Sequence, residues 1–317
     1  MKTIIIKENG GPEKLTLTET ATPDIQTDEV LVAVKAIGIN PVDASVRQNS
    51  GALQSILQPA PGQDTYILGW DISGTVVATG SAVTNFKNGD EVFGMVNFIG
   101  QGKAYAEYVA APAVHLAKKP AGISYEAAAA ATLAALTAWQ SLVTNAKIKA
   151  GEKVLIHAAA GGVGHFAVQI AKHFGAWVAG TASAANKDFV LSLGADEHFD
   201  YRSAPYEKHF HHLDLVLDTL GGDNIDRSIE VLRPGGTIIS LPSGLRETVG
   251  EKAAAKGRNG YFVTVASNGN DMQQLAALLA SGIIKPHVSA VFPFEQMGKA
   301  HQQVESGSTR GKVVVTL

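Results

Sequence analysis

The sequence contains no cysteine. That absence excludes disulfides, thiol nucleophiles and thiolate metal sites together, and it suits a reducing compartment, so the expected setting is cytoplasmic. No basic run is present either. Lys and Arg number 26 against 29 Asp and Glu, for a formal net charge of −3, so nucleic acid is not an expected partner. Long apolar runs are also missing. Ile4-Ile5-Ile6 is too short for a signal sequence or a membrane span, and the alanine-rich stretch from Ala127 to Trp139 is interrupted by Thr132 and Thr137; no membrane association is expected. Charged residues are few, at 17%, against 45% apolar. That is the balance of a globular chain, and 317 residues suffice for one large domain or two ordinary ones.

What is present changes texture along the chain. Up to about residue 120, short β-type runs such as Glu29–Ala36 and Gly74–Ala78 alternate with glycine and proline punctuation, which predicts a mainly antiparallel β domain. From about 124 a long helix is predicted over Tyr125–Leu142. After it, strands (Val154–His157, Trp177–Thr181, Leu213–Asp218, Thr237–Leu241, Tyr261–Val265) alternate with helices (Val163–Phe174, Lys187–Leu193, Asn224–Leu232, Met272–Ala280). That rhythm predicts a parallel, doubly wound sheet and an α/β fold. A last helix near Glu295–Val304 leads to a strand, Gly311–Leu317, expected to return to the first domain.

The strongest motif is Ala158-Ala159-Ala160-Gly161-Gly162-Val163-Gly164, between the strand Lys153-Val154-Leu155-Ile156 and an amphipathic helix. A dinucleotide pyrophosphate needs a tight turn, close backbone approach and the unpaired N–H groups of a helix start. Gly161 allows the approach, Gly164 allows close strand–helix packing, and Ala159 takes the place of the usual first glycine. Ala160, Gly162 and Val163 complete the candidate cradle. An NAD-type site places an acid ~20 residues further on. Counted from Gly161 that position is Thr181, and Ser183 and Lys187 follow. A hydroxyl and an ammonium suit a 2′-phosphate, and Tyr201, after the next strand, would add its hydroxyl. The expected cofactor is therefore NADPH, the alternative for Lys187 being a merely solvated position.

Several separated segments resemble the medium-chain dehydrogenase/reductase superfamily and, within it, the zinc-independent quinone oxidoreductase (zeta-crystallin-like) family. They are Gly38-Ile39-Asn40-Pro41-Val42-Asp43, Gly69-Trp70-Asp71-Ile72-Ser73-Gly74, Asn88-Gly89-Asp90-Glu91-Val92, Ala104-Tyr105-Ala106-Glu107-Tyr108, Leu136-Thr137-Ala138-Trp139, the glycine loop, Gly180-Thr181-Ala182-Ser183, Leu193-Gly194-Ala195-Asp196, Pro234-Gly235-Gly236 and Gly311-Lys312-Val313. The resemblance implies a GroES-like β domain from both chain ends (1–123 and 284–317) and an inserted Rossmann doubly wound parallel sheet (124–283) that binds NADPH. It also implies a homodimer or homotetramer. Zinc-bearing relatives carry a Cys and a His-Glu pair where this chain has Asn40 and Trp70-Asp71. A catalytic zinc needs three suitable ligands, so no metal is expected. The cluster His209, His211 and His212 lacks a partner ligand and reads as a surface connection.

Without a metal, the expected substrate is a small quinone or a conjugated enone or alkenal. Hydride then adds while charge spreads over the conjugated system, and hydrogen-bond donors suffice to stabilise it. By resemblance, Asn40 lies at the nicotinamide end, with an amide that bonds the ribose or the substrate oxygen. Thr137 contacts the nicotinamide region, Ser240, Ser243 and Ser267 line the cofactor from the far side, and Arg310 reaches a phosphate. Many relatives have a tyrosine soon after the Asn-Asp segment; here it is missing, and Tyr66 either substitutes as donor or only packs. Asp43 and Asp71 read as turn hydrogen-bond acceptors rather than an acid–base pair, and water is an available proton source. The alternatives are an enoyl-thioester reductase and a noncatalytic NADPH-binding redox sensor.

Overall fold

The computed structural model describes residues 1–242 and 244–317. The chain divides into two compact units, Met1–Leu136 with Ala266–Leu317, and Thr137–Val265.

The first unit begins with β1 (Lys2–Ile6), β2 (Thr16–Glu19) and β3 (Glu29–Ile39), then helices α1 (Pro41–Gln48) and α2 (Ser50–Leu57). Strands β4 (Tyr66–Ile67), β5 (Asp71–Thr79), β6 (Glu91–Met95), β7 (Tyr108–Pro112) and β8 (Leu116–Lys118) follow, and then α3 (Tyr125–Ala130). In β3 the valines at 30, 32 and 34 alternate inward and are all at most 3% exposed, the period-two pattern of a strand with one buried face. Helix α1 starts at Asn40 with Pro41 in its first turn, where the missing N–H costs nothing.

The predicted single helix over Tyr125–Leu142 is instead interrupted. After α3, a second helix, α4 (Leu133–Trp139), restarts and runs into a π-helical turn at Gln140–Asn145. The break has a local cause. The Leu133 N–H donates to the Asp71 carboxylate at 3.0 Å, and the Thr132 hydroxyl donates to the Ala129 carbonyl at 2.7 Å. Helix periodicity cannot reveal a cap supplied by a residue 62 positions away. The alanines of α3 have a packing reason: Ala129 and Ala130 lie in one buried cluster with Ala36 of β3. A Cβ on Gly38 would stand 2.5 Å from the Ala129 carbonyl oxygen, so position 38 has no room for a side chain. Among the described residues no helix is long and apolar enough to cross a membrane.

The second unit holds β9 (Lys153–Ile156), α5 (Gly164–His173), β10 (Trp177–Ala182), α6 (Lys187–Ser192), β11 (Glu197–Asp200), β12 (Leu213–Asp218), α7 (Asn224–Glu230), β13 (Leu232–Ser240), α8 (Val249–Ala254) and β14 (Asn259–Phe262). These strands form one parallel sheet in the order β11-β10-β9-β12-β13-β14. The order reverses at β9, so the carboxyl end of β9 is the topological switch point where open α/β sheets bind ligands.

The chain then returns to the first unit through α9 (Gly269–Ala280), β15 (Val288–Pro293), α10 (Met297–Glu305) and β16 (Lys312–Thr316). The last strand, β16, lies in the sheet of the first unit. It runs antiparallel to β3, pairing Val313 with Ile39, and parallel to β15.

Candidate cofactor and active site

The glycine loop follows β9, whose Val154, Leu155 and Ile156 are fully buried. Ala158 takes a left-handed φ of +46°. The Gly161 N–H closes a turn onto the Ala158 carbonyl at 2.8 Å, and the Ala159 N–H reaches the Thr181 carbonyl at 2.9 Å. A Cβ on Gly164 would stand 2.2 Å from the Ala158 carbonyl oxygen and 2.7 Å from Ala159 Cα; on Gly161 it would meet the same oxygen at 3.1 Å. The His165 N–H already bonds the Gly161 carbonyl at 3.1 Å. Ahead of it come the amides of Gly162, Val163 and Gly164, the positions a helix start offers to an anion. The loop therefore fits a pyrophosphate, with Ala160 buried beneath it at 5% exposure.

His157 stands just before the loop. It is 1% exposed. Its Nδ1 lies 3.0 Å from the Thr181 hydroxyl, its Nε2 3.1 Å from the Ser228 hydroxyl, and its ring 4.8 Å from that of Tyr206. Burial pushes its pKa down to about 4, so the ring is neutral at physiological pH. Thr181 thus turns its hydroxyl inward, leaving the rim of the site to others. Ser183 is half-buried and accepts from Asn186 Nδ2 at 3.2 Å. Lys187 is exposed at the start of α6, and Tyr201 is 51% exposed with the Arg202 guanidinium 5.4 Å from its ring centre. Because Ala182 of β10 pairs with Asp200 of β11, Ser183 and Tyr201 leave neighbouring strand ends side by side. Two further residues at this corner were missed in the sequence: Arg202, and His198, whose Nε2 lies 3.3 Å from the Ser183 carbonyl.

Beyond the switch point, the Ser240 hydroxyl is fully buried and donates to Asp218 at 2.7 Å. Asp218 also accepts from the N–H groups of Leu220 and Gly221 and from Asn224 Nδ2, so it shapes the loop after β12. Its sequence signal is an acid closing the strand Leu213–Asp218 before Gly221-Gly222. Arg246 joins the ends of β13 and β14: it donates to the carbonyls of Leu241 and Val263, both at 2.7 Å, and to the Thr264 hydroxyl at 2.8 Å. Thr137 is 7% exposed, and its carbonyl accepts from the Ser141 hydroxyl at 2.6 Å. Ser243 lies outside the described residues.

In the first unit, Asn40 is 2% exposed and is the hub of a buried polar cluster. Its backbone N–H donates to Asp43 at 2.7 Å, its Nδ2 donates to Asp71 at 2.8 Å, and its Oδ1 accepts from the Lys312 ammonium. Burial and the charge of Asp71 push the Asp43 pKa up to about 7. Next to this cluster, buried Arg47 donates to His301 Nδ1 at 3.2 Å and to Glu305 at 2.6 Å, and His301 Nε2 meets the Tyr105 hydroxyl at 2.8 Å. Burial takes the His301 pKa down to about 3, helped by Arg47. Tyr66 is 9% exposed and donates its only hydroxyl proton to the Gln63 carbonyl at 2.5 Å. The Ser267 hydroxyl accepts from the Phe98 N–H at 2.9 Å. Arg310 is half-buried near His287, whose pKa is lowered by burial and then by the Arg310 charge.

Comparison with known proteins agrees with this architecture. Residues 26–121 match the alcohol dehydrogenase GroES-like domain family, and residues 193–315 match the zinc-binding dehydrogenase family. The quinone oxidoreductase of Homo sapiens is 32% identical over 332 residues, covering 100% of this chain and 98% of that protein. The chloroplastic NADPH-dependent alkenal/one oxidoreductase of Arabidopsis thaliana is 35% identical over 325 residues, covering 99% of this chain and 79% of that protein. The solved quinone oxidoreductase of Coxiella burnetii superposes with a TM-score of 0.94 at 34% identity, covering 100% of this chain and 99% of that one. The chain belongs to the quinone oxidoreductase family.

As a quinone oxidoreductase-family member of the medium-chain dehydrogenase/reductase superfamily, it is an NAD(P)H-dependent oxidoreductase acting on a small molecule. The residues at the positions where zinc-bearing relatives carry a His-Glu pair have other partners here. Trp70 is fully buried, with its indole N–H on the Gly100 carbonyl at 2.8 Å and its ring edge-on to Phe98. Asp71 is committed to Asn40 and to the start of α4. Among the described residues no three His, Cys, Asp or Glu side chains are grouped to share an ion.

Proposed function

We propose that this oxidoreductase uses NADPH to reduce a quinone or a conjugated enone or alkenal. The observation that carries the cofactor choice is the corner where β10 and β11 end. Ser183 and Tyr201 follow those adjacent strand ends, Lys187 opens α6, and no carboxylate stands at Thr181 to repel a 2′-phosphate, which supports the reading. The glycine loop would take the pyrophosphate on its amides. Ser240, Ser243, Thr137 and Ser267 are proposed to line the cofactor, Ser240 through backbone groups, because its hydroxyl is held by Asp218. Arg310 is proposed as a phosphate contact.

The bound nicotinamide would supply the hydride; the protein orients and stabilises. A conjugated acceptor delocalises the incoming charge, so a single well-placed donor goes far. Asn40 is the proposed donor. Its amide carries two N–H bonds, and one is given to Asp71. Tyr66 is the other proposed catalytic side chain, but its proton is engaged by Gln63; in this reading it shapes the pocket wall and water delivers the proton. The similarity to the chloroplastic NADPH-dependent alkenal/one oxidoreductase of Arabidopsis thaliana supports the same reading.

The test is to follow oxidation of NADPH and of NADH against quinones, enones, alkenals and saturated aldehydes, with and without a chelator. Chelator-insensitive turnover of conjugated acceptors with NADPH is expected. A preference for NADH would overturn the cofactor assignment, and reduction of saturated aldehydes alone would overturn the substrate class.

A further inference from the structure

Asn40 and Asp71, which stand where zinc-bearing relatives place ligands, meet Lys312 of β16 in a closed set. The three are at most 3% exposed. Lys312 Nζ donates to the Ile39 carbonyl at 2.9 Å and to Asn40 Oδ1, and it stands 3.8 Å from Asp71 Oδ2. Asp71 Oδ2 accepts from Asn40 Nδ2 at 2.8 Å, and its Oδ1 accepts from the Leu133 N–H at 3.0 Å. An ammonium only donates and a carboxylate only accepts. The Asn40 amide therefore has one permitted orientation, oxygen toward Lys312 and nitrogen toward Asp71. A flip would set N–H against ammonium and carbonyl against carboxylate.

Stability alone does not account for this arrangement. Taking an ammonium and a carboxylate out of water is costly, and apolar side chains of the same volume often hold strands together as well or better. We propose that Lys312 and Asp71 are positioning residues, which lock the Asn40 carboxamide so that its second N–H is held out as the donor for the substrate oxygen or the nicotinamide ribose. This inference rests on the reductase reading above, in which Asn40 is that donor. Neither Lys312 nor Asp71 need touch the substrate or cofactor.

The full chain is labelled with [15N]-asparagine, and the Asn40 side-chain resonances are assigned by their loss in Asn40→Ser. In the wild type the two Asn40 amide protons are expected to exchange with solvent at different rates, the one on Asp71 more slowly. In Lys312→Met, and in the charge-neutral Lys312→Met/Asp71→Asn double variant, the rates converge. With a 1,4-quinone and an enone as acceptors, kcat is expected to fall about 10–100-fold, the cost of a misplaced group, while the KM for NADPH stays within about threefold. Lys312→Arg, which keeps the charge, restores part of the loss. If Lys312→Met leaves Asp71 uncompensated and does not fold, the double variant decides. A folded double variant with wild-type kcat, or with an unmoved Asn40 amide pair, overturns the proposal even if its melting temperature drops. If the wild type binds NADPH yet reduces nothing, the reductase reading fails, and the amide exchange alone decides whether Lys312 and Asp71 position Asn40.

Discussion

His157 makes stability depend on pH in a way that one substitution isolates. In the native chain its pKa is about 4, against an ordinary 6.5, because the ring is buried between two hydroxyls and a tyrosine face. Above pH 6.5 the ring is neutral in native and unfolded chains alike and adds nothing to the slope. As the pH falls through 6.5, the unfolded chain takes up a proton that the native chain refuses until about 4. The native state then loses ~1.4 kcal/mol for each pH unit, about 3 kcal/mol across the window. His301, with a native pKa of about 3, acts in the same direction. Asp43 acts oppositely. Its pKa of about 7 against an ordinary 3.8 means that it holds a proton when native but not when unfolded, so it gains stability as the pH falls. The difference between wild type and His157→Gln cancels both. At neutral pH the variant is less stable by ~1–3 kcal/mol, because hydroxyls are left unpaired. From pH 6.5 to 5 that gap narrows by about 2 kcal/mol, because only the wild type pays the proton penalty. Urea unfolding read by tryptophan fluorescence suits the measurement, since Trp177 packs against the core that contains Tyr206. Parallel stability curves across this range would refute the assignment of a buried neutral imidazole.

Gly164→Ala drives a Cβ into the Ala158 carbonyl; a loss of ~1–3 kcal/mol in stability is expected, with weakened binding of both nicotinamide cofactors in fluorescence titration. Lys187→Ala is expected to raise the dissociation constant for NADPH about tenfold, the low end for a charge-assisted bond at an exposed site, and to leave that for NADH unchanged; equal effects on both would move Lys187 out of the phosphate site. Arg246→Met strips the Leu241 and Val263 carbonyls of a buried donor, and a loss of ~2–4 kcal/mol, with faster amide exchange at the ends of β13 and β14, is expected. Prolonged chelation leaves turnover unchanged, measured beside a zinc-dependent dehydrogenase as control.

The parallel sheet and the strand–turn–helix setting of the glycine loop were legible because each depends on local signals: apolar period, glycine spacing, and a helix start directly after a strand. Asn40 stood out as a candidate through its segment, but its partners did not. Lys312 lies 272 residues away from it, and nothing near Gly311-Lys312-Val313 says that the ammonium is buried. The break at Thr132 was hidden for the same reason, because the capping carboxylate comes from β5. Thr181 and Ser240 show a different gap. Both were placed correctly at strand ends, yet whether a hydroxyl at such a position faces the ligand or the interior is decided by neighbours. Here His157 and Asp218 turn both inward. Arg202 and His198 escaped notice because their place beside Ser183 follows from strand pairing rather than from any motif.

The position of β16 bears on how the chain acquires its structure during synthesis. The strand lies inside its sheet, between β15 and β3, and it delivers Lys312 to Asn40. Every other strand that it braces has left the ribosome earlier. The first unit therefore waits, with the Ala36–Ile39 end of β3 lacking its β16 partner and the Asp71 carboxylate lacking the Lys312 ammonium, until residues 312–316 emerge. The second unit is continuous, Thr137–Val265, and has its whole sheet available well before then. A chain whose synthesis pauses before residue 312 would thus hold a finished parallel sheet tethered to an open β sheet, the species in which a chaperone would find the most to do.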